Sequence, residues 1–323
     1  MAKPRVLVTR RWPEEVERVL VARFDTTLNE SDRPFAETEF VSAMQDFDAV
    51  LPTVSDRLPF GLFNQPGIRA KILGNFGVGF NHIDIAAARA AGIVVTNTPG
   101  VLTDATADIA LTLMLMIARR AGEGERQLRA GEWKGWRPTH MLGRELGGRT
   151  LGIIGMGRIG KATARRAHFG FGMDIAFFNR SVVEDDETRA MKARQIESID
   201  DVMATSDFVS LHCPGGVENR HLVDARRLKL MKPEAYLINT ARGDVVDSAA
   251  LVDALRARAI AGAGLDVYED EPAIPEGLTK LENVVLLPHL GSATEETRTA
   301  MGMKVVENIS AFFDGREPPD RVA

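Results

Sequence analysis

One hexapeptide limits the folds open to this chain more than any other feature. Gly155-Met156-Gly157-Arg158-Ile159-Gly160 follows the apolar run 151–154 and opens the helix-forming stretch 161–166. Strand, glycine turn and helix in that order are what a dinucleotide-binding βαβ unit requires. Gly155 permits the tight turn, Gly157 lets pyrophosphate oxygens approach the backbone, and Gly160 lets helix and strand pack closely. The amides near Arg158 and Ile159 then face the anion from a helix N-terminus.

The remainder of the chain agrees with that start. Short Val/Ile/Leu runs alternate with amphipathic or Ala-rich stretches, the pattern of parallel strands joined by crossover helices, so the fold class is α/β. A length of 323 residues is enough for two domains at about 150 residues each. Six strand candidates, 151–154, 174–178, 208–212, 236–239, 261–267 and 284–287, make a doubly wound dinucleotide-binding (Rossmann) domain over 103–288. Before it, strands at 6–9, 49–52, 72–75 and 94–97 and helices at 13–22 and 82–91, the latter stopped by Gly92, make a second doubly wound, flavodoxin-like domain. The helical stretch 294–313 has no strand after it and packs back on that first domain, which becomes discontinuous as 1–102 plus 289–323. Asp104 caps a helix running to 120 that is apolar on more than one face, as in a helix buried between domains or subunits. From Gly315 onward the chain reads as a loosely held terminus.

Composition excludes several partners. A formal charge of −5 gives no electrostatic reason to approach nucleic acid or an anionic membrane. The most apolar stretch, 109–118, is half of the roughly twenty residues a membrane span needs. The single cysteine, Cys213, cannot form an internal disulfide, and no Cys/His set has zinc-site spacing, so no metal is expected. With no apolar leader at the amino terminus, the expected location is the cytoplasm.

The strand 174–178 should be followed by an Asp or Glu that binds the adenosine ribose of NAD. Asn179-Arg180-Ser181 stands there instead. Asn179 lacks the charge that would repel a 2′-phosphate, Arg180 offers a guanidinium fork, and Ser181 adds a hydroxyl. The expectation is NADP(H) in preference, with NAD(H) possible.

Polar groups also gather at three other strand ends: Asn239-Thr240-Ala241-Arg242-Gly243-Asp244, Asp266-Val267-Tyr268-Glu269-Asp270-Glu271-Pro272 and Pro288-His289-Leu290-Gly291-Ser292-Ala293. Together with the glycine motif, and over nearly the whole chain, they resemble the D-isomer-specific 2-hydroxyacid dehydrogenase family. The resemblance implies that Arg242 binds and polarises a 2-oxo acid, that His289 is the general acid/base and that Glu271 is its partner. Chemistry agrees with those roles: hydride reduction of a ketone leaves an alkoxide that an imidazolium can protonate, and a carboxylate on the other ring nitrogen favours the charged ring. It further implies that Thr240 and Asp266 lie near the nicotinamide, Asp266 accepting from its carboxamide, that Cys213 and Pro214 lie beside the adenine-side ribose, and that Gly291 also binds the cofactor. In 75–84 it implies a substrate loop whose Val78 and Gly79 amides bind a carboxylate, with 51–55, Leu51 included, as the other wall of an interdomain cleft. The other histidines, His82, His140, His168, His212 and His221, are read as structural.

Within the family, 97–108 and Trp136-Arg137-Pro138 look most like the glyoxylate/hydroxypyruvate reductases. That likeness implies a homodimer through the 104–120 helix, with Trp136 reaching the partner's active site. Two other readings stay open: an NAD-dependent relative acting on a bulkier acid, and a dinucleotide-sensing scaffold of the corepressor type. The absence of Arg and Lys from 75–84 argues against a phosphorylated acid.

Overall fold

The computed structural model describes residues 2–323, in two compact units: residues 2–102 with Ala293–Ala323, and Thr103–Ser292. The first holds five parallel strands, β1 (Arg5–Val8), β2 (Asp25–Thr27), β3 (Ala49–Leu51), β4 (Ile72–Gly74) and β5 (Val94–Thr96), in the order β2-β1-β3-β4-β5. This is the flavodoxin-like order. Strand periodicity sends alternate residues to opposite faces, and the core divides accordingly. Val6, Val8, Leu51 and Ile72 pack with Trp12, Val16, Leu20 and, from the helix Glu295–Phe313, Val305 and Ile309. Leu7, Val50, Leu73 and Val95 pack on the other face with Phe40, Met44, Leu62 and Ala88.

Two features of this unit differ from the sequence reading. β2 is an edge strand of Asp-Thr-Thr with no buried residue, so it carries no apolar run to betray it. The carboxyl-terminal residues are held, not loose: Val322 N–H donates to Val95 at 2.8 Å, Val95 N–H donates to Ala323, and Ala323 is buried in the core. Asp320 anchors the tail by accepting from Lys304 at 2.9 Å and Asn308 at 3.0 Å. These residues supply the hydrogen bonds that the β5 edge would otherwise lack.

The second unit holds β6 (Thr150–Ile154), β7 (Asp174–Phe178), β8 (Arg194–Gln195), β9 (Phe208–Leu211), β10 (Tyr236–Asn239), β11 (Gly262–Leu265) and β12 (Val284–Leu286), all parallel, in the order β12-β11-β10-β9-β6-β7-β8. The order reverses direction at β6, as in a dinucleotide-binding sheet, where ligands bind at the carboxyl ends of the strands. All six expected strands are present. The addition is β8, two exposed polar residues paired to β7.

The helix expected over 104–120 spans Thr103–Ala118. Asp104 lies inside its first turn and not at its cap; it accepts from Arg166 at 2.8 Å, and Asp108 accepts from the same side chain at 2.6 Å. The helix packs on the helix Arg158–Phe171 and on β10, β11 and β12. Its wide apolar surface is therefore absorbed largely within its own unit, with Ile109, Leu115 and Met116 left partly buried. Gly264 shows how close the approach is: a Cβ there would stand 2.9 Å from Leu113 Cβ. No helix among the described residues is long and apolar enough to cross a membrane.

Residues His289–Ser292 belong to the second unit, so the crossing to the first falls at 292/293 and not at 288/289. The cause is one side chain on β11's exit loop. Asp266 accepts from the Leu290 and Gly291 amides at 2.6 and 2.7 Å, and its carbonyl accepts from His289 N–H at 3.0 Å.

Candidate active site

The glycine turn starts where β6 ends. Gly155 has φ +97°, a conformation that L side chains rarely adopt, and a Cβ there would lie 2.8 Å from the Cys213 nitrogen. A Cβ on Gly160 would lie 2.3 Å from the Gly155 carbonyl, whereas one on Gly157 would meet nothing within 4 Å. The two outer glycines thus close the turn and the middle one keeps an approach open. Gly157 is the N-cap of the helix Arg158–Phe171, whose first amides have no helical carbonyl to bond. That is a site for an anion.

Residues after β7 hold this turn. Asn179 Oδ1 accepts from Met156 N–H at 3.2 Å, and Asn179 Nδ2 donates to the Ser181 carbonyl and hydroxyl, each at 3.1 Å. Asn179 therefore positions the loop, while the exposed Arg180 donates to Glu218 at 3.0 Å. Cys213 follows β9; burial pushes its thiol up to about 11, so it is no thiolate at neutral pH. The Thr240 hydroxyl after β10 is buried with no hydrogen-bond partner among the described residues. A buried hydroxyl left over at a strand's carboxyl end fits a polar ligand such as a dinucleotide.

The exits of β10, β11 and β12 carry Arg242, Glu271 and His289 respectively. After β10, Asn239 bonds the turn at both ends, accepting from Ala241 N–H at 3.0 Å and donating to the Arg242 carbonyl at 2.9 Å. Gly243 is required next, because a Cβ there would fall 1.9 Å from the Tyr268 carbonyl carbon. Arg242 is partly buried and donates to the Ala241 carbonyl at 2.7 Å. Burial lowers its guanidinium, against the raising charges of Glu271 and Asp244. After β11, Glu271 accepts from Tyr268 N–H at 2.9 Å and meets His289 Nδ1 at 2.8 Å. Burial works to raise Glu271, but the His289 hydrogen bond and charge, the Tyr268 amide and Arg242 outweigh it and leave the carboxyl below its ordinary value.

His289 itself sits at φ +53°, the left-handed region that few non-glycine residues occupy. The Asp266 bonds to three successive amides hold it there. Both Asp266 oxygens already accept a backbone amide, so its first task is to fix the histidine turn; each keeps a lone pair for a second donor. Burial raises Asp266, opposed by those amides and by His289. With Nδ1 on Glu271, Nε2 is the nitrogen left for a ligand.

In the first unit the carbonyls of the loop after β4 turn inward. Gly77 O and Gly79 O each accept from Asn75 Nδ2 at 3.0 Å, and Val78 O accepts from Asn97 Nδ2 at 2.8 Å. Among the described residues no acceptor takes the Val78 or Gly79 amide. Leu51 needs correction. It is fully buried, its side chain over Gly74 in the core under the C-terminal helix, because β3 is covered on both faces. Val54, partly exposed, is the residue of 51–55 that lies against Gly77.

The residues 111–291 match the family model described as D-isomer specific 2-hydroxyacid dehydrogenase, NAD binding domain, and so cover more than half of the chain. The chain belongs to this family. A glyoxylate reductase of Thermococcus litoralis is 44% identical over 325 residues, 99% of this chain and 97% of the relative. A crystal structure of a D-isomer specific 2-hydroxyacid dehydrogenase from Polaromonas sp. superposes with a TM-score of 0.91 at 37% identity, covering 99% of this chain and all of that one. The NADPH-dependent glyoxylate/hydroxypyruvate reductase of Sinorhizobium meliloti, in complex with NADP and malonate, gives 0.89 at 37% identity, over 100% of this chain and 97% of that one.

As a D-2-hydroxyacid dehydrogenase the protein is an oxidoreductase of CH–OH donors that binds a nicotinamide dinucleotide. Several of its polar contacts escaped sequence reasoning. His221 pairs through Nε2 with Glu269 at 2.7 Å, and Arg220 donates to the same oxygen at 2.7 Å, two residues before Glu271. His82 Nε2 meets Asn75 Oδ1 at 2.9 Å. Each partner is too distant in sequence, or too ordinary in type, to be singled out by spacing. Trp136 is 81% exposed.

Proposed function

We propose that this dehydrogenase is an NADPH-preferring reductase of small 2-oxo acids, glyoxylate and hydroxypyruvate first, giving glycolate and D-glycerate. The observation that carries the reading is the 2.8 Å pair between His289 Nδ1 and Glu271, built on strand ends of the sheet whose β6 turn is the glycine motif. The relatives named glyoxylate reductase support the substrate class. Support for the cofactor comes from the Asn179-Arg180-Ser181 sequence, which puts no Asp or Glu at the end of β7.

The glycine turn at 155–160 would hold a reduced nicotinamide dinucleotide, which would supply the hydride for the carbonyl carbon. Arg242, charged at any working pH, holds the carbonyl and carboxylate oxygens of the acid together. His289 delivers the Nε2 proton to the oxygen as it becomes an alkoxide, a contribution of roughly 10²–10⁴ in rate. Glu271, ionised because its carboxyl lies below the ordinary range, holds Nδ1–H and stabilises the imidazolium. The Val78 and Gly79 amides bind the carboxylate, and Thr240, Asp266, Gly291, Cys213 and Pro214 line the dinucleotide. A homodimer in which Trp136 serves the partner's site accounts for its exposure.

Initial rates with NADPH and NADH over a panel of 2-oxo acids test this. The expected result is the highest kcat/KM for glyoxylate or hydroxypyruvate with NADPH. A preference for NADH with a bulky acid would overturn it.

A further inference from the structure

We propose that Asn75, its carboxamide oriented by His82, is a positioning residue that turns the Val78 and Phe80 amides outward and, with Asn97 holding the Val78 carbonyl and so the Gly79 amide, makes three consecutive amides a single anion receptor. This rests on the reading of 75–84 as the carboxylate loop and adds a third donor, the Phe80 amide, and the device that aims all three. Asn75 is fully buried. Its Nδ2 donates to Gly77 O and Gly79 O, both at 3.0 Å, and its Oδ1 faces His82 Nε2 at 2.9 Å. Thr98 N–H also donates to Gly77 O at 3.1 Å, and Asn97 Nδ2 donates to Val78 O at 2.8 Å.

A trans peptide is planar, with the N–H of one residue antiparallel to the C=O of the residue before it. Pinning the carbonyls of Gly77, Val78 and Gly79 inward therefore points the amides of Val78, Gly79 and Phe80 the other way. None of those amides has a protein acceptor among the described residues. Successive amides on one side of a loop form a concavity for an anion. Gly77 is needed there because a Cβ would meet Val54 Cγ1 at 2.7 Å.

The identity of residue 75 follows. An amide can donate to two carbonyls through one nitrogen and accept from a ring N–H through its oxygen. An aspartate of the same shape would set a second acceptor against Gly77 O and Gly79 O and a negative charge beneath an anion site.

The test is steady-state kinetics with glyoxylate and NADPH, plus NADPH titration by fluorescence, on four variants with intact thermal transitions checked. Asn75→Asp and His82→Leu should raise KM for glyoxylate about tenfold or more, with a smaller change in kcat and an NADPH Kd within about twofold of the parent. His82→Gln places an amide N–H near the lost ring N–H and should restore KM. Val78→Pro, which deletes one amide, should raise KM as Asn75→Asp does. If Val78→Pro raises KM while Asn75→Asp and His82→Leu do not, the positioning role is wrong and the loop reading stands. If Val78→Pro also leaves KM unchanged, the loop is not the carboxylate site and both fall.

Discussion

At the scale of single residues, the charged groups of the site are each set by a neighbour that does no chemistry. Asp266 holds His289 in a left-handed backbone, Asn239 shapes the Arg242 turn, and Tyr268 N–H steadies Glu271. Because the Glu271 carboxyl lies below its ordinary value in the folded state, it adds stability above the unfolded carboxylate range, near pH 4.3. That contribution is lost as pH falls through the folded value. Glu271→Gln should therefore melt below the parent at pH 7 and converge with it under acid; a constant gap down to pH 3 to 4 would count against the pair. Arg180→Gln should raise KM for NADPH about tenfold and that for NADH far less, since only the former carries the phosphate. Equal effects on both cofactors would remove Arg180 from phosphate recognition. The glycine turn was legible from its order of strand, turn and helix, and the family resemblance singled out Glu271 and His289, which the fold brings to 2.8 Å. Leu51 was misread because spacing cannot tell a strand residue buried on both sides from one lining a wall. Asn75, Asp266's lock on the turn and the His221–Glu269 pair were not legible, since their meaning lies in backbone geometry.

Among the elements, the strands with long apolar runs were read correctly and those without were missed. β2 and β8 exist only because a neighbouring strand offers an unpaired edge, which is a tertiary cause. The tail at 320–323 is held for the same reason along β5. β9 also carries a liability at its end. His212 bonds Ser210 at 2.9 Å through Nε2, its Nδ1 is buried without a partner among the described residues, and burial lowers the ring to about 4. A histidine near 6.5 unfolded and about 4 folded makes the unfolded chain bind the extra proton between those values. Stability is then lost as pH falls from about 6.5 to about 4. His212→Gln should flatten that part of the pH–Tm curve; an unchanged slope would place the acid sensitivity elsewhere.

For the whole molecule, the segment after the helix Thr103–Ala118 behaves unlike the remainder. The helix Ala121–Arg129 has no buried residue, and Leu128, Trp133, Trp136 and Leu142 are all exposed. The proposed dimer would cover such side chains. Light scattering should give twice the 35.3 kDa chain mass, and Trp136→Ala should raise KM for the oxo acid by severalfold. A monomer with full activity would contradict the dimer. The two-unit plan was legible because each unit repeats its own strand–helix alternation; the exact crossing was not, because Asp266 decides it through hydrogen bonds.

The central claim is that one imidazole, held by one carboxylate, protonates the product of hydride transfer. NADPH oxidation by glyoxylate, followed in the parent and in His289→Gln with NADPH affinity measured on the same samples, tests it most directly. The expected result is unchanged NADPH binding and turnover lower by roughly 10²–10⁴. Turnover within a few-fold of the parent would contradict it.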